Sequence, residues 1–321
     1  ERENATRIYS GKEMPEYVGI APCCYKNIIP SCIQERPDGN KNGKDWFGVS
    51  WVWDEKTKGY TTNPEQTPVV KDICHWKDYV NFPDLKQINW IGAAKKDLED
   101  YKPDDGLIRI FLESGPFERL YSLTGFEEAF IAMCEEPEAF CELMDALTTF
   151  REKEIYYILQ AYHPDVILSM NDLASATAPL FSIDMYREML KPYEKRIAQA
   201  VHKGGAYYLY HSCGRMQAFI DDLLEIGVNG FNALTPCNDQ KEIMEKYGSS
   251  FVVDGGLNSL LISDETASEE ELRAEVRRAI DIFAPYGRYI LHPASFVPRN
   301  REILIDEAQK YGSMFYKKQH K

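Results

Sequence analysis

Three short polar clusters stand where apolar runs of the sequence stop. They are Asn171-Asp172 after DVILSM, His211-Ser212-Cys213-Gly214 after AYYLY, and His292 to Ser295 after RYIL. One residue separates His211 from Cys213, and at a strand end that spacing sends both side chains to the same side. Imidazole plus thiolate is a zinc-type ligand pair. Cys237, after the next apolar run GFNALT, could close a third corner. A catalytic zinc needs three protein ligands and one open position. The same spacing equally suits two ordinary residues at the mouth of a barrel, and Cys237 alone reads as a small buried residue. Asp172 is placed to orient a ligand or act as an acid, with a loop acid or N-cap as the plainer role. Asn171, Asn232 and His292 are candidates to bind a substrate, and Tyr210 to hydrogen-bond its reacting oxygen. Trp51, with Trp46, Phe47 and Trp53, could cover a flat apolar ligand or pack as a layer over the core. His163 reads as structural, His75 and His202 as solvated or helix-end residues, and His320 as part of a frayed tail.

The elements around these clusters alternate. From residue 106 onward, GLIRIFLE, DVILSM, AYYLYH, GFNALT, SFVVDGG and RYILHP read as strands. Between them run amphipathic segments: GFEEAFIAMCEE, then a long helix with Pro137 in its first turn. A helix capped by Ser182 and stopped by Gly204 carries Pro192, which predicts a kink. Helices are also expected over 216–226, 239–247, from Ser268 (capping box with Glu271) through Phe283, and from about Asn300. Such alternation implies parallel β/α units. Residues 1–105 are irregular and hold all five Trp, with strand-like alternation in DWFGVSWVW. The expected fold is a (β/α)8 TIM barrel with an irregular N-terminal segment, one domain over 1–321. An open doubly wound sheet is the runner-up, but no GxGxxG or GxxxxGK[ST] turn is present. In a barrel, catalytic groups stand where strands end.

The chain of 321 residues is 44% hydrophobic, with a formal net charge of −14. That balance argues against a nucleic-acid binder, which needs a basic face to meet phosphate, and against docking on an anionic membrane. No apolar run nears the roughly 18–20 residues a membrane helix needs. The N-terminus is charged and polar, unlike a secretory signal. The eight Cys are irregularly spaced, which suits a reducing cytoplasm.

Longer segments carry a resemblance. RENATRIYSGKEMPEYV, GPFERLYSLTGFEEAFIAMCEEPE, DLASATAPLFSIDMYREMLKPYEKRI, HSCGRMQAFIDDLLEIGVNGFNAL and KYGSSFVVDGGLNS together resemble the uroporphyrinogen decarboxylase superfamily. The resemblance implies a (β/α)8 barrel and one of two chemistries. The decarboxylases open with an arginine-rich motif that grips carboxylates; the corresponding VGIAPCCYKNIIPSCIQERP has no such run. The cobalamin-dependent methyltransferases carry His-x-Cys on zinc after a central strand, and His211 and Cys213 match it. Their third ligand, a Cys after the last strand, corresponds here to Ser295, which leaves Cys237 or His292 as substitutes, Cys237 the better placed. A further pattern from ether demethylases, Glu-x14-Glu-x20-His, is met by Glu127, Glu142 and His163. The first two fall in predicted helices outside the barrel, so this trio is not expected to form a site. The resemblance thus implies methyl transfer between a small substrate, such as an aryl methyl ether, and the cobalt of a separate corrinoid protein. A second reading is a metal-free lyase using Arg109, Arg215 and Asp172 on a carboxylated substrate, and a third a non-catalytic corrinoid or small-molecule binder. A homodimer is an expectation of the superfamily.

Overall fold

The computed structural model describes residues 1–37, 39–55 and 58–319; His320 lies outside them. The strands in chain order are β1 (Gly19–Ile20), β2 (Tyr25–Ile28), β3 (Gly43–Lys44), β4 (Ser50–Asp54), β5 (Gly59–Thr62), β6 (Leu107–Leu112), β7 (Val166–Met170), β8 (Tyr207–Ser212), β9 (Gly230–Ala233), β10 (Val252–Gly255) and β11 (Tyr289–Leu291). The six runs read as strands from the sequence are β6 to β11. They lie in an all-parallel, eight-stranded sheet of order β1-β11-β10-β9-β8-β7-β6-β2. β3, β4 and β5 form a separate antiparallel sheet in the Trp-rich segment.

The parallel sheet is curled. Arg109 on β6 and Asp254 on β10 form an ion pair, although three strands stand between theirs in the sheet order. In a flat sheet they would be roughly 19 Å apart, at about 4.8 Å per strand, so only curvature brings them together. The sheet is a half-barrel rather than the closed barrel expected. The segment 19–28 touches both flanks: β1 pairs with β11 and β2 with β6. Between them the chain makes a one-turn helix, Ala21–Cys24. That turn interrupts the extended backbone a continuous ladder requires, and Pro22 has no N–H to give one.

Side-chain alternation sorts the strands into two faces. Leu107, Val166, Leu168, Leu209, Val252 and Ile290 meet inside the curl, together with Ala5, Ile8 and Tyr9 of the helix Arg2–Ser10. Those contacts reach the first residues of several strands, so the helix fills the N-terminal end of the half-barrel. The opposite strand faces pack under helices in the main core. The kink expected at Pro192 is a break: Ile183–Met189 ends before Leu190 and Lys191–Lys203 starts after it, with Pro192 in the new first turn. Ser182 caps the former by accepting from the Met185 N–H, and Ser268 with Glu271 forms the capping box. Among the described residues no helix is long and apolar enough to cross a membrane.

Candidate functional site

Parity carries side chains into the curl at its open, C-terminal end. On β8, Leu209 belongs to the interior cluster, so His211 and Cys213, two and four residues on, continue on that face. On β7, Leu168 sets the same parity for Asp172. These three residues each bring one donor atom within 4.8 Å of the others, and among the described residues they are the one such group of metal-capable side chains. Cys213 Sγ lies 3.3 Å from His211 Nε2, and Asp172 Oδ1 lies 4.0 Å from the same nitrogen. The Cys213 N–H donates to Asp172 Oδ1 at 2.7 Å, which ties the two loops together. Gly214 makes this approach possible. At φ 75° it holds the left-handed backbone that glycine favours, and a Cβ there would press into the Ala174 and Ser175 carbonyl oxygens.

The register sets the next layer. His211 pairs across β8–β9 with Asn232, and Asn232 across β9–β10 with Asp254, which puts the three in one row facing inward. The Asn232 Nδ2 donates to the Asp254 backbone carbonyl at 3.1 Å, a group that can only accept. Its Oδ1 therefore faces His211, and the 2.6 Å bond to Nδ1 has the imidazole as donor. With the proton on Nδ1, the Nε2 lone pair is left for Cys213 and Asp172. His292 Nδ1 lies 3.2 Å from Asn232 Nδ2 and 3.1 Å from Asp254 Oδ1. Ala233 and Leu234, directly after Asn232, both have positive φ, 78° and 37°. Such backbone is costly for non-glycine residues and clusters at functional sites.

Burial shapes the charges. It pushes the Cys213 thiol up to about 12, with Asp172 adding to the shift. Burial also pushes Glu118 up to about 8, with the Asp172 charge second; Glu118 Oε1 accepts from the Asp172 N–H at 3.3 Å. At Asp254 burial pushes the other way from its neighbours, but Arg109 and then His292 outweigh it and hold the carboxyl below its ordinary range.

Other sequence candidates sit elsewhere. Tyr210 has the opposite parity on β8: fully buried, its hydroxyl lies 3.5 Å from Glu194 Oε1 of the outer helix Lys191–Lys203. Asn171 also faces outward. It is buried against Gly115, and its amide has no partner among the described residues. Asn232 meets His211 and His292 rather than open space. Trp51 is 3% exposed, donates to Asp45 at 2.9 Å and carries the Arg36 guanidinium 3.7 Å from its ring centroid. Cys237 Sγ is partnered by Thr235 and Asn238 and is not in the donor group. Ser295 is buried and donates to the Ile262 carbonyl at 2.6 Å. Glu127, Glu142 and His163 are exposed, Glu142 on Lys77, and are not gathered. Glu118, Arg36 and Asp254 are additions that the sequence reading did not single out. Asp254 had a signal, since it shares the parity of Val252 at the end of an apolar strand.

The chain belongs to the uroporphyrinogen decarboxylase (URO-D) family, which matches residues 57–303. Among solved structures, a methyltransferase from Methanosarcina mazei is 18% identical, with a TM-score of 0.66 over 83% of this chain and 76% of its own. That likeness shows a shared fold. A GH5-4 broad specificity endoglucanase from Clostridium longisporum (11% identity, TM-score 0.43, 98% of each chain) and a sugar phosphate isomerase/epimerase from Parabacteroides distasonis (12%, 0.39, 73% of this chain and 81% of its own) are only loosely similar. No curated protein matches the chain.

Proposed function

We propose that this protein is a methyltransferase that moves a methyl group between a small substrate and the cobalt of a corrinoid carried by a separate protein, with zinc held at the open end of the half-barrel. The observation that carries the reading is the convergence of Asp172, His211 and Cys213. Carboxylate, imidazole and thiolate are all zinc ligands, and three of them leave one position open. The set fits: Asn232 already aims the His211 Nε2 lone pair, and Cys213 Sγ and Asp172 Oδ1 lie 3.3 Å and 4.0 Å from that nitrogen. Asp172 takes the third place here, ahead of the Cys237 read from the sequence. When bound, zinc would act as a Lewis acid on an ether or phenol oxygen, or hold a thiol as thiolate. His211 and Cys213 would fix its position, Asn232 and His292 the imidazole. Glu118, which burial pushes toward its protonated form and which accepts a hydrogen bond from the Asp172 N–H, would be the proton donor to a departing oxygen.

Support comes from the donor set, the family and the fold shared with the Methanosarcina mazei methyltransferase. The family match also keeps a lyase reading on a carboxylated substrate in view. For it, Arg109 is already spent on Asp254, and Arg215 is exposed. The test is metal analysis of the purified protein with a methyl-donor screen against added corrinoid protein. Zinc near one per chain and methyl transfer lost in Cys213→Ala are the expected results; unchanged zinc and transfer in that variant would refute the proposal.

A further inference from the structure

We propose that a cleft on the outside of the half-barrel is a second ligand site, and that it takes an aromatic anion, a planar ring system bearing a sulfonate- or phosphate-like group. The cleft lies between the helix Pro137–Tyr162, the end of the helix Lys191–Lys203 and the segment 82–86. The inference stands apart from the function proposed above. With a volume of about 1100 Å³, the cleft is as large as sites that hold drug-sized ligands. Its walls are preformed. Phe82 packs on Phe150 with ring centroids 5.5 Å apart, and Trp90 stacks on Tyr157 at 5.6 Å and 3°. The Trp90 Nε1–H donates to the Leu85 carbonyl at 2.8 Å, so the segment is pinned to the helix at Phe82 and at Trp90. Tyr156, also in the lining, is 58% exposed and offers its ring to a ligand.

The charges select an anion. Lys86, Lys153 and Lys203 line the cleft, and among the described residues none of them has a carboxylate within ion-pair distance, in a chain of net charge −14. The three acids that share the lining are engaged. Asp145 and Glu152 hold Arg196 at 2.6 Å and 2.5 Å, and Asp84 accepts from the Lys86 N–H and the Gln87 side-chain amide. Of the charged groups, only the ammoniums are left without a protein partner. Rings and apolar side chains beside unpaired cations suit a molecule with a flat apolar body and a charged head. The cleft is separate from the donor group. Lys203 and Gly204 precede β8 while Cys213 follows it, and a strand of that length spans roughly 17–20 Å. The ligand therefore meets the helices that lead into β7 and β8, not the reacting end of the half-barrel.

The test titrates two fluorescent probes into the purified protein, anilinonaphthalene sulfonate and phenylnaphthylamine. The second is the same ring system without the sulfonate and is the more apolar, so a merely apolar cleft would bind it more tightly. The sulfonate is instead expected to bind at least about fivefold more tightly, the order that two exposed charge pairs supply. The double variant Lys153→Glu/Lys203→Glu should erase that margin and bind phenylnaphthylamine as before, and Tyr156→Ser should weaken both probes. All three side chains are exposed, so neither variant asks the core to repack. A sulfonate that does not saturate the native protein, or binds it no more tightly than phenylnaphthylamine, would overturn the proposal. So would undiminished sulfonate binding in the double variant, which would put the probe elsewhere, or unaltered binding of both probes in Tyr156→Ser.

Discussion

His211 Nδ1 and Asn232 Oδ1 are 2.6 Å apart, and the direction of that bond is set from behind by the Asp254 carbonyl. Asn232→Leu should therefore weaken zinc binding by about 10- to 100-fold, the usual cost of losing an outer partner of a metal-bound His. Competition with a chelator measures it. Affinity equal to the native protein's would mean that the imidazole is aimed by something else.

Asp172→Ala and Cys237→Ser divide the two candidate third ligands. The first should remove most of the zinc and the second should leave it, because Cys237 is engaged by Thr235 and Asn238. The opposite pattern in metal content would return Cys237 to the ligand set.

Arg109 and Asp254 form a fully buried pair. Removing one partner leaves a charge buried alone, which costs about 3–5 kcal/mol. Arg109→Leu should lower the urea midpoint accordingly, and the double variant Arg109→Leu/Asp254→Leu should recover part of the loss. A single variant as stable as the native chain would show that water reaches the pair.

Glu194 is pushed up to about 8 by burial against the outer face of β8. The folded chain thus holds a proton that the unfolded chain releases near its ordinary carboxylate range. This contribution to stability is whole below that range and fades as pH rises through about 8. The slope is at most about 1.4 kcal/mol per pH unit. Glu194→Gln should flatten the fall of melting temperature between pH 5 and pH 8, roughly the span between the two states' titrations. An unaltered profile would remove Glu194 as its source.

Much of this arrangement was legible beforehand because strand parity is a sequence property. DVILSM and AYYLYH showed which residues end the strands, and the period of two put His211 with Cys213. The same rule, applied one residue over, would have turned Tyr210 and Asn171 away from the donor group. Their polarity drew them into the site, while their parity assigns them to the helix-covered side. Cys237 was placed by counting β/α units, and that count does not see the loop geometry after Ala233 and Leu234. The gap in the barrel was hidden because it depends on a single four-residue turn, Ala21–Cys24. Arg36 lay in a segment without periodicity, where only tertiary packing on Trp51 gives it a role.

The helix Arg2–Ser10 stoppers one end of the half-barrel with Ala5, Ile8 and Tyr9. On the proposed function, methyl donor and corrinoid carrier would both have to come to the opposite end, a single doorway used in turn. Traffic through that doorway, as much as chemistry, would then set the order in which the two reactants are taken up.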